Sequence, residues 1–108
     1  MKHSLVFGIK INKIEELKNI LESTLSLKFG LHTSGDEQDY LFAGDDETEN
    51  FVIHFNYNDS EQEWDYPEHK EYKTIFIINN TARSQLLQKL LTEKVPELTL
   101  LEIYEDDE

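Results

Sequence analysis

The sequence has no cysteine, only two prolines and four glycines, and ten basic residues in 108. Without cysteine there is neither a disulfide framework nor a thiol nucleophile, and a cytoplasmic location is the expectation. No apolar stretch approaches the ~20 residues that span a bilayer. Lys10 interrupts the run from Leu5 to Ile11 and no small-residue cleavage site follows, so neither a membrane span nor a signal peptide is expected. Clustered cations are missing, which disfavours direct nucleic-acid binding, because that affinity rests on neutralising phosphates. Gly8, Gly30, Gly35 and Gly44 form no phosphate-cradling loop, and no serine sits in a nucleophile elbow. No catalytic residue and no cofactor are assigned, and the chain reads as a non-enzyme.

What is present is apolar patterning and acid. Six Phe, five Tyr and Trp64 argue for a folded core despite a formal charge of −13. The length suits a single domain over 1–108. Leu5, Phe7, Ile9 and Ile11 alternate as a strand. Asn12, three residues before Glu15, reads as a helix cap, and Ile14, Leu17, Ile20, Leu21 and Leu25 give a helix over about 13–26. Leu25, Leu27, Phe29 and Leu31 then alternate, which suits a second extended segment leaving the helix directly, punctuated by Gly30 and Ser34-Gly35-Asp36. Strands are expected at 40–43 and 50–57. A further strand at 72–79 carries an unbroken Ile75–Ile78 centre that suits a central sheet position. Asn79-Asn80-Thr81 offers turn and cap chemistry. Ala82, Leu86, Leu87, Leu90 and Leu91 form a second helix stopped at Pro96, and a last strand spans 98–104. Residues 105–108 read as a frayed acidic tail. The expectation is an α+β fold in the order β-α-β-β-β-α-β: a four- to five-stranded, mainly antiparallel sheet with two helices on one face.

The charge is unevenly placed. Residues 36–71 hold thirteen acids against Lys70, a net −12 that is nearly the whole excess. Most bracket the strands at 40–43 and 50–57, so adjacency of those strands would gather carboxylates on a shared side or end of the sheet. A surface of that potential steers a basic partner, although a charge run also serves solubility. Trp64 and Tyr66 lie inside the same segment, and aromatic anchors ringed by polar groups have the composition of an interface, although Trp64 would equally serve as a lid on the core. The candidate partner-binding residues are Asp36, Glu37, Asp39, Asp45, Asp46, Glu47, Glu49, Asp59, Glu61, Glu63, Trp64, Asp65, Tyr66 and Glu68. His3, His32, His54 and His69 raise the question of a metal. A site would need His3 and His54 on neighbouring strands with an acid such as Glu102, and no local ligand spacing supports one, so no metal is assigned.

Two families are resembled. His3 heading a strand, the helix of 13–26 ending at Leu27-Lys28-Phe29-Gly30, and three further strands resemble one βαβββ module of the glyoxalase superfamily over about 3–79. That resemblance implies a metal- or ligand-binding protein with His3 on a ligand-bearing strand. As a cysteine-free acidic domain with an acid-rich middle and a Trp/Tyr patch, the whole chain resembles the immunity proteins of bacterial contact-dependent growth inhibition. That resemblance implies a protein that binds a basic toxin domain, often a nuclease, and blocks its active site or substrate surface. A DNA mimic that blocks a DNA-binding protein shares the same electrostatic logic.

Overall fold

A computed structural model describes residues 2–10, 14–34, 37–59 and 61–106. In chain order the elements are β1 (Lys2–Ile9), α1 (Ile14–Leu25), β2 (Gly30–Ser34), β3 (Glu37–Gly44), β4 (Asn50–Phe55), β5 (Tyr57–Asn58), β6 (Glu63–Trp64), a 3-10 turn at Pro67–His69, β7 (Thr74–Thr81), α2 (Ser84–Lys94) and β8 (Thr99–Asp106). Six strands form one sheet in the order β2-β3-β4-β7-β1-β8, and every neighbouring pair is antiparallel. β5 and β6 form a separate two-stranded ribbon. No helix among the described residues is long and apolar enough to cross a membrane.

The fold is α+β with an antiparallel sheet, as expected, but four to five strands is too few. The alternation after α1 produces a full edge strand, since Gly30, Leu31 and His32 pair with Phe42, Leu41 and Tyr40. β4 ends at Phe55, two residues early, because buried Asn56 turns the chain out of the sheet. Glu105 and Asp106 are strand residues paired with His3 and Lys2, which corrects the frayed tail. The Asn12 cap, the Gly35-Asp36 part of the turn and residues 107–108 lie outside the described residues.

Period-two alternation gives the sheet two distinct faces. Leu5, Phe7, Phe51, Ile53, Phe76 and Ile78 share one core with Leu17 and Leu21 of α1 and Leu87 and Leu91 of α2, so both helices lie on this side. Phe7, Phe76 and Phe51 stack across β1, β7 and β4 with centroids 5.9 and 6.3 Å apart. β7 lies between β4 and β1, which explains its unbroken apolar centre. Ile20 and Leu86, expected in the apolar stripes, are 42% and 59% exposed. α1 closes where Ser26 takes φ +55, with the Leu27 N–H donating to the Glu22 carbonyl at 3.1 Å. The Glu22 carboxylate then accepts the Phe29 N–H at 2.8 Å and steers the chain into β2.

Among the described residues the opposite face carries no α-helix. Part of it is covered by Tyr72, which crosses the sheet at Gly8: a Cβ on Gly8 would stand 2.7 Å from Tyr72 Cγ and 2.8 Å from Leu101 Cδ1. Gly8→Ala is therefore expected to cost about 1–3 kcal/mol by overpacking. Urea denaturation checks this, and a Gly8→Ala/Tyr72→Ala double variant should be less destabilised than the sum of its single changes.

Candidate functional site

The chain between β4 and β7 is an excursion across the face opposite α1 and α2, and one side chain fixes it. Asn56 is fully buried. Its Nδ2 donates to the carbonyls of His69 and Tyr72, both at 2.9 Å, and more weakly to that of Tyr66 at 3.4 Å. Its Oδ1 accepts the Tyr66 N–H at 2.8 Å. Its own carbonyl accepts the Asp65 N–H at 2.8 Å, and its N–H donates to the Lys73 carbonyl at 3.0 Å. An asparagine suits this position because one amide supplies donors and an acceptor at once.

Fixed in this way, the excursion walls a groove of about 640 Å³ on the open half of the face. Phe42, Val52 and Ile77 align as cross-strand partners along its floor. A polar row runs beside them: Asn79 Nδ2 donates to Asn50 Oδ1 at 3.0 Å, while Asn50 Nδ2 donates to the carbonyls of Thr48 and Asp45 at 3.0 and 3.2 Å. Tyr40 closes the β3 side, where His32 of the edge strand stacks on it at 5.3 Å. Asn80, with φ +55, occupies the bulge where β7 shifts register against β1, and it lines the groove. Asp46 reaches the groove from the β3–β4 turn, and Glu61 and Asp65 reach it from the excursion.

The acids are therefore sorted by the fold. The β3–β4 turn and the excursion leave opposite ends of β4, roughly 17 Å apart along the strand. Asp46, Glu61 and Asp65 nevertheless line one groove, and Asp65, Tyr66 and Glu68 continue into a smaller concavity of about 230 Å³ with His69, Glu102 and Tyr104. Asp39 is an exposed β3 residue where the pairing with β2 shifts register. Asp45 and Glu47 organise their own turn, Asp45 Oδ1 accepting the Glu47 N–H at 2.9 Å. Trp64 and Asp59 lie with Tyr57 at a different concavity. Glu37 is placed only as a β3 residue, Glu63 is exposed on the ribbon, and Asp36 lies outside the described residues.

Local electrostatics distinguish two of these carboxylates, Glu49 and Glu61. Glu49 is structural. Its carboxylate accepts from Arg83 Nη2 and Nε at 2.6 and 2.9 Å and from the Thr81 hydroxyl at 2.7 Å. The Arg83 hydrogen bonds, aided by Thr81 and opposed by partial burial, hold its carboxyl below the usual range. A depressed folded-state pKa contributes stability above the unfolded value, near 4.5, that is lost as pH falls through the folded value. Glu49→Gln is expected to cost about 0.5–1 kcal/mol at pH 7. Urea midpoints of the two proteins should converge as the pH is lowered below that range. Glu61 behaves oppositely: hydrogen bonding and charge from the neighbouring Glu63 carboxylate raise its pKa. A cation placed there relieves that repulsion.

The remaining titratable side chains tie the excursion to the sheet. His54 Nδ1 lies 3.3 Å from Asp65 Oδ2, and His54 stacks on Tyr66 at 6.5 Å. His69 Nε2 lies 3.5 Å from Glu102 Oε2. The Tyr104 hydroxyl donates to Glu102 at 2.6 Å, which pushes the Tyr104 pKa up to about 12. Burial, with the charges of Glu102 and Asp65, raises that of Tyr66. β1 and β4 are separated by β7, so His3 and His54 are not on neighbouring strands, and Glu102 pairs with His69. Among the described residues no three histidine or acidic side chains form a metal-holding group.

Tyr40, Phe42 and the asparagines at 50, 56 and 79 are site residues that the charge pattern did not flag. The available signal was asparagine within or beside strand-forming runs, a residue type depleted from strands. The chain matches no protein-family model, and no curated protein matches it.

Proposed function

We propose that this chain is a non-enzymatic, cytoplasmic binding protein that neutralises a basic protein partner, as an immunity protein sequesters a cognate toxin domain of the nuclease kind. The observation that carries the reading is the groove: apolar floor, asparagine row and three carboxylates brought from separate loops to one open sheet face. A projecting lysine or arginine of the partner would rest its alkyl stem on Phe42, Val52 and Ile77 while its charge meets Asp46, Glu61 and Asp65. Acids outside the groove would raise the association rate. A stable complex of this kind buries roughly 1,200–2,000 Å² in total, so the groove receives one projecting segment and its surroundings meet the surface around it. Lysines and arginines that hold phosphates on a nuclease are the natural counterparts of such carboxylates.

Fluorescence anisotropy with a labelled arginine-rich peptide, beside a neutral peptide of equal length, tests this reading. Saturable binding of the basic peptide alone is expected, weakening about tenfold or more between roughly 50 and 500 mM salt. Equal affinity for both peptides, or binding indifferent to salt, contradicts it.

A further inference from the structure

The other side of the β5–β6 ribbon carries an arrangement that the groove does not use. Tyr57 and Trp64 are cross-strand partners, with ring centroids 5.3 Å apart and planes inclined at 69°. Two rings at that angle form a corner. With Phe55, Asp59 and Lys73 they line a concavity of about 260 Å³ that shares no residue with the groove. The walls are open to solvent, Phe55 and Tyr57 being 39% and 38% exposed. The corner already attracts cations from the chain itself: Lys73 Nζ stands 5.0 Å from the Trp64 ring centroid and Lys70 Nζ 6.0 Å.

We propose that Phe55, Tyr57 and Trp64, with Asp59, form a binding site for an N-methylated ammonium group, and that Lys73 occupies it when no ligand is present. Aromatic faces attract cations through their quadrupoles, and the attraction grows as the cation sheds water. Lys73 is a compact, strongly hydrated ammonium on a flexible stem. A trimethylammonium spreads its charge over methyl groups, so it enters the corner with less water to lose and returns Lys73 to solvent. The carboxylate of Asp59 matches the ligand's charge without demanding a hydrogen-bond donor. The site is independent of the cationic-partner reading, since neither its residues nor its ligand require the groove.

Trp64 is the sole tryptophan, so its emission reports on the corner directly. The intact chain is titrated with choline and with 3,3-dimethylbutan-1-ol, which has the same shape without the charge. A saturable change of emission with choline, at least about tenfold weaker with the alcohol, is expected from the charge dependence of the contact. Lys73→Gln, a substitution at an exposed position, should lower the choline midpoint about threefold by removing the internal competitor. Tyr57→Leu should abolish the response. A peptide bearing trimethyllysine is compared with its unmethylated form: tighter binding than choline assigns the ligand to a protein side chain, and binding no tighter assigns it to a free small molecule. No saturable change in either the parent chain or Lys73→Gln, or equal responses to choline and the alcohol, overturns the proposal.

Discussion

Replacing Asn56 by alanine should lower the stability of the chain by about 3–4 kcal/mol, far more than a surface asparagine would cost. The amide is fully buried and serves the carbonyls of His69, Tyr72 and Tyr66 and the N–H of Tyr66. Truncation leaves those backbone groups without a partner, and each unsatisfied group costs about 1–3 kcal/mol, with partial relaxation reducing the sum. Asn56→Asp separates hydrogen bonding from shape. Its ionised carboxylate faces carbonyls and is desolvated, so its folded-state pKa lies above the unfolded one. Its penalty relative to the parent chain is then greatest at neutral pH and shrinks as pH falls through the folded value and the acid becomes protonated. Urea denaturation at a series of pH values reads both effects. A penalty below about 1 kcal/mol for Asn56→Ala, the worth of a typical hydrogen bond, would remove Asn56 from its place as organiser of the excursion.

The largest effect on binding is expected from neutralising the groove. Changing Asp46→Asn, Glu61→Gln and Asp65→Asn together should weaken binding of an arginine-rich peptide about 100-fold, or about 2.7 kcal/mol. The same change in net charge at Glu93, Glu97 and Glu105, which are exposed away from the groove, should weaken it only about threefold, because screening limits long-range attraction. Thermal stability of the groove variant should change little, since relief of the Glu61–Glu63 repulsion offsets the lost contact of Asp65 with His54. Equal losses in the two triple variants would mean that total charge, and not the groove, governs association.

The sheet was legible wherever a strand buries one or both faces. Alternation placed β1, and the unbroken Ile75–Ile78 run placed β7 at the centre, because burial imposes a period that composition displays. Edges were harder. β2 has Leu31 65% exposed, so its alternation reports little burial, and the end of β8 is held by backbone pairing to Lys2 and His3, which leaves no mark on hydropathy. The run of acids at 36–71 does not show which of its carboxylates the fold gathers in one groove. The turn at Asp45–Glu49, the pairing of Glu49 with Arg83 and the amide of Asn56 decide which carboxylates meet, and the last two are contacts between residues distant in sequence. Trp64 pairs with Tyr57 through a ribbon too short to have a period of its own.

Backbone amide chemical-shift mapping shows whether the sheet face opposite α1 and α2 is where a basic partner is recognised. With an arginine-rich peptide added to isotopically labelled chain, shifts are expected to concentrate at Tyr40, Phe42, Asp46, Asn50, Val52, His54 and Ile77, with α1 and α2 unmoved. Shifts spread evenly over every acidic loop, or centred on the two helices, would contradict it.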